Sequence, residues 1–196
     1  MGAEVAPTFT RRMYTNSRVP TSRRGVHTVQ DADLSSAPLH DAVKPLKWLL
    51  GKWESVQGEG FYPTIQPFSL KESITFSNVG LPMMQFSSSA LDVKNKPFHS
   101  ECGFLQVNVG TKRAAFLSSV SNGVVEMAEG EVNGTELSLE STSVSNVWFA
   151  KGPKTTKITR TFKLINANTL EQKMSMATSV TPDLAPHFQI QYKKIE

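Results

Sequence analysis

From about residue 45 the chain breaks into short segments of alternating apolar and polar residues, each bounded by Gly, Asn, Pro or Lys, and this rhythm constrains the fold more than any other feature. In Glu136-Leu137-Ser138-Leu139-Glu140 and in 157–164 the alternation is strict, as in a strand with one face toward a core and the other toward water. Ten candidate strands follow: 53–62, 68–76, 83–91, 99–109, 113–120, 124–131, 136–144, 156–164, 169–177 and 187–195. A short helical turn over 45–50 precedes them, with Leu46, Leu49 and Leu50 on one side.

The links between segments carry hairpin chemistry. Ser121-Asn122-Gly123, Val132-Asn133-Gly134 and Lys94-Asn95-Lys96-Pro97 supply residues that tolerate positive φ or fix φ at a bend, so consecutive strands are antiparallel neighbours. An open sheet of ten strands would expose two edges, whereas closure removes them. The pattern therefore predicts an all-β, ten-stranded, antiparallel up-and-down barrel with a short N-terminal helical turn. A barrel of that strand number encloses a cavity, and lipid, haem or plain packing could each fill it.

Charge narrows the function classes. The net charge of +4 arises in residues 1–30, where Arg11, Arg12, Arg18, Arg23 and Arg24 face Glu4 alone; the remainder carries 16 basic and 16 acidic side chains. The barrel is therefore not expected to bind nucleic acid. Residues 1–42, rich in Arg, Ser, Thr and Pro without a sustained period, are expected to be a disordered basic tail, and 43–196 the barrel domain. An organelle transit peptide fits the tail less well, for want of an apolar helix face. No apolar run approaches the roughly 18–20 residues of a spanning helix, so no membrane partner is expected. One cysteine, Cys102, cannot pair within the chain; it suits a reducing compartment, with a cytoplasmic or nuclear location, and reads as a small buried residue. The acidic residues between Glu126 and Glu140 read as a solvated hairpin face.

With four histidines in the chain, the candidate ligands of a haem iron or transition metal are few. His187, in Ala185-Pro186-His187-Phe188, is the first to weigh. Period two groups Phe188, Ile190 and Tyr192 on one strand face and turns His187 outward, unless Pro186 marks an irregular strand start.

Motifs spread along the chain supply a resemblance. Gly51-Lys52-Trp53, Gly58-Glu59-Gly60, Tyr62-Pro63-Thr64, Val79-Gly80-Leu81-Pro82, Lys96-Pro97-Phe98-His99, Glu129-Gly130-Glu131 and Ala185-Pro186-His187-Phe188 together resemble the nitrobindin family. The likeness is strongest to the haem-binding domain that ends animal THAP-domain proteins and covers about 45–196. The family's compact signature spaces Trp and Gly more closely; here four residues separate Trp53 from Gly58, which reads as a bulge or loop.

The resemblance implies a barrel shaped like fatty-acid-binding proteins and lipocalins, with haem b near an open end and His187 as its iron ligand. It implies haem contacts from Thr64, Phe98 and Met176, with His99 beside them. It also implies NO binding and isomerisation of peroxynitrite to nitrate at the iron. A homodimer remains open, and a haem-free carrier of fatty acids or similar ligands is the alternative. Such a carrier wants an internal arginine for the ligand carboxylate, and Arg113 and Arg160 are the arginines the domain offers.

Overall fold

A computed structural model describes residues 36–195. A 3-10 helix, Asp41–Leu49, leads into ten strands: β1 (Gly51–Tyr62), β2 (Ile65–Leu81), β3 (Met83–Asp92), β4 (Pro97–Val107), β5 (Arg113–Val120), β6 (Val124–Asn133), β7 (Glu136–Asn146), β8 (Thr155–Asn166), β9 (Thr169–Thr178) and β10 (Thr181–Lys194). They close into a barrel in which each strand pairs antiparallel with its neighbours in sequence and β1 seals against β10. The expected architecture is the observed one. The expected tail falls outside the described residues up to 35; beyond it, Leu39 and Ala42 already pack on the core and Asn78 Nδ2 donates to Ala37 O.

Two elements begin well before their expected positions. The helix starts at Asp41, four residues ahead of Pro45, because His40 caps it: His40 Nδ1 accepts from the Ala42 N–H at 3.1 Å. β10 starts at Thr181 rather than at residue 187, its Pro-rich opening still pairing with β9 through Ala185 and Pro186.

The helix closes one end of the barrel. Val43, Leu46 and Leu49 are fully buried there, and the indole of Trp53 donates to Leu49 O at 2.8 Å, tying the plug to β1. Above the plug lies a layer of four phenylalanines. Phe86 stacks on Phe116 with centroids 4.4 Å apart, and Phe162 meets Phe76 edge-on at 5.7 Å. This half of the barrel is filled by its own side chains.

A polar belt crosses the barrel above the phenylalanines. Along β5, β6, β8 and β9 the inward positions run through the belt between two separate apolar clusters: Phe116-Ser118-Val120, Ala128-Glu126-Val124, Phe162-Arg160-Ile158 and Leu170-Gln172-Met174. Arg160 is its centre. It donates to both oxygens of Glu101 at 3.1 and 2.8 Å and twice to Glu126 Oε2 at 3.0 and 2.8 Å. Its guanidinium carbon lies 5.0 Å from the Phe116 ring centroid, so the charge rests on the phenylalanine layer. Burial opposes the charge on Arg160, but the two carboxylates outweigh it and hold its pKa above the ordinary value. Burial raises the Glu126 carboxyl against the pull of Arg160.

Glu126 thus corrects the expectation of a solvated acidic face: it is 1% exposed, on the inward parity of β6. Cys102 departs in the opposite direction and is exposed, since β4 turns Glu101 inward and its neighbour outward.

A second part of the belt links Tyr192, Glu72 and Gln172. The Tyr192 hydroxyl lies 3.0 Å from Glu72 Oε2 and 2.7 Å from Gln172 Oε1. A phenol has one proton to donate, so both contacts are satisfied together when Glu72 is protonated and donates to the phenol oxygen. Burial pushes the Glu72 carboxyl up to about 7, in line with that arrangement.

Removing Arg160 strands two buried carboxylates. Arg160→Met should destabilise the barrel by about 3–5 kcal/mol, with partial recovery when Glu101→Gln and Glu126→Gln are added. Denaturant unfolding measures both effects, and equal stability of Arg160→Met and wild type would refute the pairing. Because Glu72 takes up a proton on folding, its contribution is complete below pH 4.5 and is lost as pH rises through about 7. Glu72→Gln should therefore flatten the fall in stability over that window, by at most about 3 kcal/mol, as read from unfolding curves at successive pH values.

Candidate functional site

The end of the barrel opposite the plug opens into a cavity of about 380 Å³, within the usual range for small-molecule sites. His187, Thr64, Phe98, His99 and Met176 all line it, although they come from β10, the β1–β2 turn, β4 and β9. The belt residues Glu72, Glu101 and Arg160 form part of its wall.

His187 reaches the cavity by a bulge. Pro186 pairs with Ser175 and Phe188 with Met174, so β10 carries one residue more than β9, and that residue is His187. The extra residue breaks the alternation, and His187 and Phe188 both face the cavity. Pro186 has no N–H to give the ladder, which suits it to the position before the bulge. The irregularity expected at a strand start is therefore a bulge within a longer strand.

The mouth of β4 repeats the device. Ala90 pairs with His99 and Leu91 with Pro97, leaving Phe98 as the extra residue, and again two consecutive side chains line the cavity. Phe98 is nevertheless 54% exposed and leans on Phe68, with centroids 5.2 Å apart.

The imidazole of His187 is oriented from both sides. Its Nδ1 lies 3.3 Å from Phe61 O; a carbonyl can only accept, so Nδ1 carries the proton and Nε2 keeps its lone pair. Tyr62 meets the ring edge-on at 5.7 Å and Phe68 at 6.4 Å. Burial lowers the pKa of His187, partly opposed by the Phe61 carbonyl, with His99 and Arg160 also disfavouring its charge. Burial likewise lowers His99, against the pull of Glu101. Both imidazoles are thus biased toward the neutral form, which can act as a ligand.

Phe68 was not singled out from sequence, and the signal for it is Gly60 in Gly58-Glu59-Gly60. Gly60 pairs with Phe68, and a Cβ on Gly60 would lie 2.1 Å from the Phe68 ring; one on Gly58 would lie 2.7 Å from Leu70 O. Gly60 leaves the space in which Phe68 lies across β1 toward His187, and Gly58 lets β1 approach Leu70. The longer Trp53–Gly58 spacing is accommodated as expected by a bulge: Ser55 pairs with Tyr192 and Gln57 with Gln191, leaving Val56 extra and 65% exposed.

The donor set says what the cavity can hold. Among the described residues no group of three or more His, Cys, Asp or Glu side chains could bind a bare metal ion. An imidazole oriented by Phe61 O, with His99 as a second and with mostly apolar residues around them, suits instead a flat, largely apolar ligand that brings its own metal and equatorial donors, as haem does. The acids nearby are committed to Arg160 and Tyr192.

Fold and site together define a class: small-molecule-binding up-and-down barrels with an imidazole presented at the open end. Comparison with known proteins narrows it. Residues 42–194 match the family model described as "THAP4-like, heme-binding beta-barrel domain", and the chain belongs to that family. It is 44% identical over 159 residues to the human protein named peroxynitrite isomerase THAP4, a match covering 80% of this chain and 27% of that protein. The chain thus spans little more than a quarter of these animal relatives. An Arabidopsis thaliana protein named peroxynitrite isomerase Rv2717c is 34% identical, with 78% of this chain and 88% of that protein covered. The crystal structure of Rv2717c from M. tuberculosis superimposes with a TM-score of 0.72 at 27% identity, covering 81% of this chain and 99% of that one.

The glycine at 60 should be intolerant for a reason confined to one neighbour. Gly60→Ala should cost about 1–3 kcal/mol by displacing Phe68, and Phe68→Ala in the same chain should recover most of it. A double-mutant cycle of unfolding free energies tests this, and simple additivity would contradict the packing described.

Proposed function

We propose that the barrel binds haem b through His187 and isomerises peroxynitrite to nitrate, with reversible NO binding at the same iron. The observation that carries this reading is the His187 bulge, which brings an imidazole with its Nδ1 engaged by Phe61 O to a cavity whose carboxylates are engaged elsewhere. Haem held by His187 would supply a Lewis-acidic iron for the rearrangement of peroxynitrite to nitrate.

The protein's part is to hold and to exclude. Phe61 O fixes the His187 tautomer and ring direction, as second partners of metal-bound histidines commonly do. Phe68, Phe98, Phe188 and Met176 supply apolar contact for a flat ligand, and Thr64 a hydroxyl at the rim. The isomerisation has no net uptake or release of protons, so no acid–base pair is required. His99 fits this assignment as a neutral wall residue biased against carrying charge.

The carrier alternative loses its anchor. Arg160 is internal, but Glu101 and Glu126 occupy four of its five N–H donors, so a fatty carboxylate would find one left and no bidentate fork. Arg113 faces outward and pairs with Glu129. We further place the protein in a reducing compartment, on the strength of its exposed, unpaired Cys102.

Hemin added in equimolar amount should give a shifted Soret band that changes again with NO and is lost in His187→Ala. With hemin, the wild-type chain should speed peroxynitrite decay and raise the nitrate yield, while His187→Ala should not. Absence of a specific Soret shift, or efficient displacement of a fluorescent fatty acid by oleate, would overturn the reading.

A further inference from the structure

The two ends of the barrel differ in a way the ligand cavity does not require. Five links surround the mouth: 63–64, 93–96, 121–123, 147–154 and 179–180. Three of them carry large apolar side chains in solvent: Val93 at 66% exposure, Trp148 at 89% with Phe149 at 66%, and Val180 at 60%. The same links hold Lys94, Lys96, Lys151 and Lys154 and no acidic residue. At the plugged end the links 82, 108–112, 134–135 and 167–168 carry one exposed large apolar residue, Val109, and one lysine, Lys112.

The exposure of Trp148 and Phe149 is built into the loop. Lys154 Nζ donates to Val147 O at 3.0 Å and to Ala150 O at 3.2 Å, bridging the base of the turn that carries both rings. Val147 N donates to Gly123 O and Ser179 N to Lys154 O, which ties three of the mouth links together. The rings stack edge-on upon each other, 5.4 Å apart, rather than folding back onto the barrel. The nearest carboxylate in sequence to Lys94 and Lys96 is Asp92, whose Oδ1 accepts from both of their backbone N–H groups. Lys94, Lys96 and Lys151 are exposed and form no ion pair among the described residues.

We propose that the mouth of the barrel docks face-on onto an anionic lipid bilayer, with Val93, Trp148, Phe149 and Val180 entering the interface and Lys94, Lys96 and Lys151 meeting lipid anions. Tryptophan beside lysine is the composition favoured at that depth, where indole and alkyl stems find apolar contact and ammonium groups find phosphate. The apolar tips stand on separate links around an opening, so a broad surface meets them together while the cavity between them faces the membrane. Such docking would give an apolar ligand a path between bilayer and cavity without crossing bulk water. It departs from the expectation drawn from sequence, which considered only spanning segments, and it does not depend on which ligand the cavity holds.

The test uses the full chain with vesicles of phosphatidylcholine alone or mixed with phosphatidylserine. Of the three tryptophans, Trp53 is fully buried and Trp48 half-buried, so Trp148 reports the mouth. Co-sedimentation and a blue shift of the emission are expected with the mixed vesicles, weakening with salt and much reduced with phosphatidylcholine. Partitioning should fall about tenfold in Trp148→Ser/Phe149→Ser and again in Lys94→Glu/Lys151→Glu, with unfolding curves unchanged. No partitioning overturns the proposal, as does partitioning that these variants leave intact. Loss of binding only when Arg11, Arg12, Arg18, Arg23 and Arg24 are changed to Gln overturns it in favour of the basic segment. A lipid-independent blue shift that grows with protein concentration, together with a dimer in ultracentrifugation, overturns it in favour of a second copy of the chain.

Discussion

Arg160 with Glu101 and Glu126 is the interaction on which the two halves of this barrel depend. Three buried charges from β8, β4 and β6 are held together by four hydrogen bonds of 2.8 to 3.1 Å. Below them the interior is a packed phenylalanine layer; above them it is a cavity. An apolar layer at that level could satisfy the core but would leave the cavity floor greasy and uncharged. The ion triplet instead places a fixed, polar boundary there, at the price of a strict requirement that no member be lost. The same pairing denies a ligand carboxylate the bidentate fork of Arg160, so a structural interaction also selects among ligand classes.

At the mouth the controlling device is local disorder of register. Bulges at Phe98 and His187 each turn two consecutive residues into the cavity, which an unbroken strand cannot do. This gives the open barrel end more inward side chains than strict alternation allows. Gly60 acts in the opposite sense: by having no side chain it lets Phe68 cross the strand and reach within 6.4 Å of the His187 ring. The family to which the chain belongs is named for haem binding, and these features describe how this sequence builds a cavity with one oriented imidazole.

Much of the site was legible beforehand, for unequal reasons. The scarcity of histidine pointed to His187, but strict alternation aimed it outward, and the argument for the cavity came from motif resemblance and from Pro186 as the mark of an irregular strand start. Arg160 was readable in principle, since it shares the apolar parity of Ile158 and Phe162, yet its partners were not. Glu101 and Glu126 lie 59 and 34 residues away from it, and nothing local distinguishes them from solvated acids. Cys102 was misread because it was judged by residue type rather than by its neighbour Glu101, whose inward turn sends it outward.

By itself the sequence determined the number of strands, their order, their antiparallel pairing and the need for closure, because those follow from a two-residue period and from turn residues that act within a few positions. Tertiary structure alone decided where the period breaks, which charges are buried together, and which loop side chains remain in solvent at the mouth. A bulge exists only relative to the register of a partner strand, and a buried charge is tolerated only when opposite charges from distant strands meet it. Those conditions are properties of the closed barrel, and no short stretch of chain contains them.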